Sequence, residues 1–172
     1  MSTSGVGEDD QAWRAWLGRH GPALVLYARQ WCRTRPDSED AVQDGFVRFW
    51  KSRQDAGAGA PSQVRDETAY LFACVRTAAL DLARAAGRRR HHEGNVSAFE
   101  APADREDLRE VVEVALEKLP EEQREVLVLK IWAGLTFAQI GELLAIPANT
   151  ASSRYRYALE RLEALLAKEF SQ

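Results

Sequence analysis

The chain has 172 residues, 45% hydrophobic and 28% charged, which suits one domain or two small ones and excludes a disordered chain. Its two cysteines, Cys32 and Cys74, fall among apolar residues and are too few for a disulfide framework or a four-cysteine zinc site. No apolar run reaches the roughly 18 residues of a membrane span, and Met1 to Asp10 lack the basic start and apolar stretch of a signal peptide, so a cytoplasmic location is expected.

Periodicity reads as helix nearly throughout. Trp13, Trp16, Leu17 and His20 share one face of a short first helix. Pro22 suits the first turn of a second, where its missing N–H costs nothing; that helix carries Leu24, Tyr27, Ala28, Trp31 and Cys32 and ends near Pro36. Asp37 reads as the N-cap of a third helix, about 38–53, which lines up Val42, Phe46, Phe49 and Trp50. The run DAGAGAP over 55–61 is a loop by composition. A fourth helix runs from about Thr68 to Arg90, with Leu71, Phe72, Val75, Ala79, Leu82 and Ala86 as its stripe.

Residues 91–103 lose the period, and a domain boundary is expected near residue 94. Leu108, Val111, Val112, Ala115 and Leu116 begin a second helical unit, and Pro120 opens its next helix. Thr136 with Gln139 forms a capping-box pattern ahead of Phe137, Ile140, Leu143 and Leu144. Ile146-Pro147 ends that short helix, and a long one runs from about Ala148 to Phe170. Short helix, three-residue turn and longer helix is the spacing of a helix-turn-helix. Gly141 in mid-helix is explained if the long helix crosses closely there.

At 100° per residue, Ala151, Tyr155, Ala158 and Leu162 lie on the inner side of the last helix. Asn149, Ser152, Ser153, Arg156 and Tyr157 lie opposite, with Arg154 and Arg161 on the flank. Short polar groups near a helix start, then a long cation and a phenol, can bond base edges and phosphates in a major groove. An inert solvated face would more often carry Glu and Lys. The charge balance adds a constraint. Residues 94–129 carry 10 acidic and 4 basic groups, and no broad basic surface exists elsewhere. Because phosphate neutralisation supplies most duplex affinity, a larger partner is expected to hold this chain on DNA.

Residues 119–166 resemble the promoter-reading C-terminal domain of an alternative sigma factor of the extracytoplasmic-function type, within the sigma-70 superfamily. PDSEDAVQDGFVRFW over 36–50 resembles that family's polymerase-binding helix, and YLFACVRTAALDLARAAGRRR over 70–90 its helix for the minus-ten element. The resemblance implies an all-α fold of two small domains: a tail over 1–9, a region-2-like domain over 10–93, an acidic linker over 94–107 and a region-4-like helix-turn-helix domain over 108–170. It implies that Asn149, Ser152, Ser153, Arg154, Arg156 and Tyr157 meet the minus-35 element. It assigns Tyr70, Arg76, Thr77, Arg84 and Arg88 to the minus-ten element, and Asp40, Gln43, Asp44 and Arg48 to the clamp of the largest polymerase subunit. A loop within 51–67 would hold a base flipped from the non-template strand. Implied partners are core RNA polymerase, promoter DNA and an anti-sigma factor, with no small-molecule substrate. The chain departs from the family at Ala145, where Gly is common and a left-handed Cβ costs roughly 1 kcal/mol. It departs also at Ser152, where the family often has Lys, and at Thr77, where Asn is usual.

The acidic stretch 94–125 could thread a basic polymerase channel, as the family's linker does. It could instead fold back on the basic faces and keep the free chain off DNA. Two other readings are a free-standing helix-turn-helix regulator, which should bind its operator without polymerase, and a helical adaptor or anti-sigma-type protein, which would not need the polar face at 149–157. No catalytic motif, metal site or cofactor is expected: His91-His92-Glu93 points to different sides of a helix. Trp13, Trp16, Trp31, Trp50 and Trp132 are expected to be core residues, and Cys32 and Cys74 small buried hydrophobes.

Overall fold

The computed structural model describes residues 5–55, 66–93 and 108–169. Among these residues the chain forms seven α-helices and no strand. The first is α1, Gly5–Ala28, a single helix where the sequence suggests two. Pro22 lies inside it, so the Gly18 carbonyl loses its N–H partner. The tail expected over 1–9 is helical from Gly5 onward.

Helix α2 is Arg35–Asp55. Thr34, rather than Asp37, caps it: its Oγ1 accepts from the Asp37 N–H at 3.2 Å, and Pro36 fits the first turn, where no N–H is needed. Helix α3, Glu67–Glu93, is capped by Asp66, whose Oδ1 accepts from the N–H groups of Thr68 and Ala69 at 2.9 and 3.1 Å. The α2–α3 crossing is close enough that a Cβ on Gly45 would meet the Val75 backbone at 2.8 Å. Leu24 and Tyr27 of α1, Phe49 of α2 and Leu71, Phe72 and Val75 of α3 are fully buried where the three helices meet.

The second half comprises α4, Leu108–Glu117, α5, Glu121–Ile131, α6, Phe137–Leu144, and α7, Ala148–Glu169. Val126, Leu127, Val128 and Leu129 of α5, Ile140 of α6 and Ala151 and Ala158 of α7 are buried. Most of these side chains join the apolar cluster of the first half, and a smaller cluster of Leu116, Leu119, Leu127 and Ala158 lies beside it. The two halves therefore pack on each other.

Trp50 is not core: it is 47% exposed, with the Arg53 guanidinium 5.9 Å from its ring. Trp16, Trp31 and Trp132 are half-buried against the core, and Cys32 and Cys74 are buried. The linker expected over 94–107, the loop over 56–61 and most of the base-holding loop lie outside the described residues, as do the side chains of Trp13, Leu17 and 89–93.

Candidate nucleic-acid interface

The helix-turn-helix is built from its caps. Thr136 Oγ1 accepts from the Gln139 N–H at 3.2 Å, and Gln139 Oε1 accepts from the Thr136 N–H at 2.6 Å, closing the expected capping box. Ala145 ends α6 in the left-handed conformation, φ 55°, ψ 44°. The turn thus keeps its shape despite the Cβ, and the Ile146 N–H bonds back to the Gly141 carbonyl at 2.9 Å. A Cβ on Gly141 would stand 2.7 Å from the Ile146 carbonyl oxygen and 3.3 Å from the Ala148 nitrogen. The missing side chain at 141 is what lets α7 start so close to α6.

That start fixes the rotation of α7. Ala151 and Ala158 are buried, Leu162 is half-buried, and Tyr155 leans on Phe137 with ring centroids 5.6 Å apart. Asn149, Ser152, Ser153, Arg156 and Tyr157 all face solvent, the last 50% exposed with the Arg156 guanidinium 5.1 Å from its ring. A large exposed phenol beside a cation, two serines and an asparagine offers donors, acceptors and a π-face to one groove-wide strip. Arg154 stands apart from this strip. It is half-buried and pairs with Glu122 of α5 at 2.9 Å.

On α3 the expected face is less uniform. Thr77, Arg84 and Arg88 are exposed. The Thr77 hydroxyl donates to the Ala73 carbonyl at 3.0 Å, and Arg84 reaches Asp81 at 3.4 Å. Tyr70 does not turn outward: it packs beside Phe49, and its hydroxyl donates to Ser52 Oγ at 2.8 Å. Its period position sits at the margin of the apolar stripe, and α2 lies close enough to claim it. Arg76 is half-buried, and its Nε donates to Glu125 of α5 at 2.7 Å.

On α2, Asp40, Gln43 and Asp44 are exposed on one side, and Val47, 49% exposed, extends the strip by a turn. Arg48 is half-buried and bridges Asp44 and Asp81 at 3.0 Å each, tying α2 to α3. The hydrogen bond to Asp81 holds its guanidinium charged beyond the ordinary arginine range.

Sequence reasoning missed Glu125. It is 5% exposed and accepts from the Tyr27 hydroxyl at 2.9 Å as well as from Arg76. Burial first, and then the Glu125 charge, push the Tyr27 phenol well above its ordinary pKa. It missed equally the Gln139 side-chain N–H donating to Asp66, which links the α6 cap to the α3 cap. The charge count at 94–129 signalled acid in this stretch but not where it docks. Among the described residues no cluster of His, Cys, Asp and Glu fits a metal, and no helix is long and apolar enough to cross a membrane.

Comparison with known proteins agrees with this division of the chain. Residues 16–89 match the family profile of sigma-70 region 2, and residues 115–164 that of sigma-70 region 4. The extracytoplasmic-function RNA polymerase sigma factor SigM of Mycobacterium tuberculosis is 30% identical over 94% of this chain and 80% of its own length. SigK of Mycolicibacterium vanbaalenii, of the same type, is 30% identical over 75% of this chain and 68% of its own. In three dimensions the chain is similar to the sigma factor RpoE solved with the anti-sigma factor NepR from Bartonella quintana. The TM-score is 0.69 at 24% identity, covering 91% of this chain and 98% of that one. CnrH, solved with the cytosolic domain of CnrY, gives a TM-score of 0.59 at 27% identity, over 92% of this chain and 90% of that one.

Proposed function

The chain belongs to the extracytoplasmic-function sigma factors, with sigma-70 regions 2 and 4, and from that premise we propose that it binds core RNA polymerase in the cytoplasm and directs it to promoters. The α7 strip of Asn149, Ser152, Ser153, Arg156 and Tyr157 reads the minus-35 element in the major groove, with base contacts setting sequence and phosphate contacts setting register. Arg154, turned toward Glu122, serves a phosphate only if that pair opens.

The exposed part of α3, Thr77, Arg84 and Arg88, meets the upstream edge of the minus-ten element, joined by Arg76 once its own partner is released. Tyr70 supports this helix from below through Ser52. Asp40, Gln43 and Asp44 dock on the clamp of the largest polymerase subunit, and Arg48 positions Asp44 for that contact. The domains are proposed as 10–93 and 108–170, joined by the acidic linker 94–107. Melting follows from capture of an extruded base, whose cost of a few kcal/mol the polymerase complex must offset. The chain needs no cofactor and performs no catalysis of its own. An anti-sigma factor is the proposed restraint, since the similar sigma factor RpoE was solved with the anti-sigma factor NepR.

The observation that carries the reading is the exposed polar strip of α7, oriented by the Gly141 contact and the Ala145 turn. The experiment is reconstitution with core polymerase on a library of upstream sequences. Transcription from templates sharing a minus-35 and a minus-ten block is expected. Arg156→Ala should lose that selection while still binding core. Transcription indifferent to the upstream sequence would refute the proposal.

A further inference from the structure

Glu125 is the one charged side chain that the described residues bury almost completely, and its partners lie in the other half of the chain. It stands in a series. Glu113 and Glu117 of α4 both pair with Arg29 just past the end of α1. Glu121 accepts from the Trp31 indole N–H at 2.8 Å, and Glu125 accepts from Tyr27 and Arg76. On both sides of the junction at Pro120, these four acids reach side chains of the first half. The Arg76 guanidinium also lies 5.7 Å from the Trp31 ring, inside the seam.

We propose that Glu113, Glu117, Glu121 and Glu125 form an intramolecular latch, in which Glu125 takes the Arg76 guanidinium and the two halves must separate before the whole α3 face can meet DNA. The proposal rests on the reading of α3 as a DNA-binding face and adds its regulation. A carboxylate that holds an arginine's Nε–H and neutralises its charge competes with a phosphate for the same guanidinium. Three features suit a seam that opens. A buried ion pair gains little over an apolar contact but strictly specifies its partner. The Arg29 pairs at the rim are partly exposed, where pairs are weak and salt-sensitive. Between Arg29 and Trp31, whose side chains reach across the seam, the Gln30 amide nitrogen and oxygen are shut from solvent with no hydrogen-bond partner, an unmet cost in the packed form.

The test uses the full chain without polymerase, comparing wild type, Glu125→Gln and the charge-matched surface variant Glu39→Gln. The radius of gyration by small-angle scattering reads the latch. Affinity for a short random-sequence DNA duplex at low salt reads the α3 face. Glu125→Gln is expected to expand the chain and bind duplex about tenfold tighter than Glu39→Gln, within the usual range of a coupling between two states. Adding Arg76→Ala should abolish that gain. An unexpanded Glu125→Gln chain overturns the latch whatever α3 does. Expansion with no gain in affinity overturns the masking of α3 and counts against the DNA-binding reading of that helix. If circular dichroism finds Glu125→Gln unfolded, Glu113→Gln with Glu117→Gln at the exposed rim decides the same outcomes.

Discussion

Burial pushes the Cys32 thiol from its ordinary 9.0 up to about 11, with the Asp37 charge adding to the shift. A raised thiol pKa means that the native state holds its proton more tightly than the unfolded chain does. The stabilisation is therefore complete below pH 9 and drains away as the pH climbs through 11. The urea midpoint should fall across that window, and Cys32→Ala should flatten part of the fall; a wild-type midpoint level from pH 8 to 11 would contradict the buried thiol. On the outer surface, Arg156→Ala should cost about 1–3 kcal/mol of minus-35 discrimination, measured as the ratio of transcription from matched and mismatched templates. Reversing the charge of Asp40 and Asp44 should weaken binding to core polymerase, and an unchanged affinity would remove that surface from the account. The exposed polar residues of α7 were legible because a 100° wheel needs only the sequence. Tyr70 and Arg48 were not, since whether a residue at a stripe's margin faces water depends on how near the next helix comes.

Helix contacts in this chain are set by absent side chains. Gly141→Ala gains helix propensity of about 1 kcal/mol but drives a Cβ to 2.7 Å from a carbonyl oxygen that the turn holds fixed. Thermal unfolding should show a net loss of about 1–3 kcal/mol. Ala145→Gly should act oppositely, gaining about 1 kcal/mol by relieving the left-handed Cβ at φ 55°. Should Gly141→Ala stabilise and Ala145→Gly destabilise, the described turn would be wrong. Gly141 and Ala145 were readable, one as a glycine where a helix wants alanine and the other as an alanine where relatives have glycine. Gly45 gave no such sign. Its need for smallness comes from Val75 on α3, and no local pattern in α2 announces that approach. The break expected at Pro22 also failed, because a proline signals a lost hydrogen bond and cannot tell whether packing on both sides carries the helix through.

For the molecule as a whole, helix content, the two-part division and the family were legible from periodicity and two motif blocks in order. The seam between the halves was not. Fourteen charged groups counted over 94–129 say that the stretch is acidic, but only the fold puts Glu125 against Tyr27 and Arg76. Under the proposed function, the two helical bodies select a promoter only when a polymerase spaces them along it. Footprinting of a promoter fragment from the reconstituted library tests this most directly. With core polymerase two protected blocks are expected, at the minus-35 and minus-ten elements, and with the purified chain alone no site-selective protection. Strong protection of one operator-like site by the chain without polymerase would contradict it.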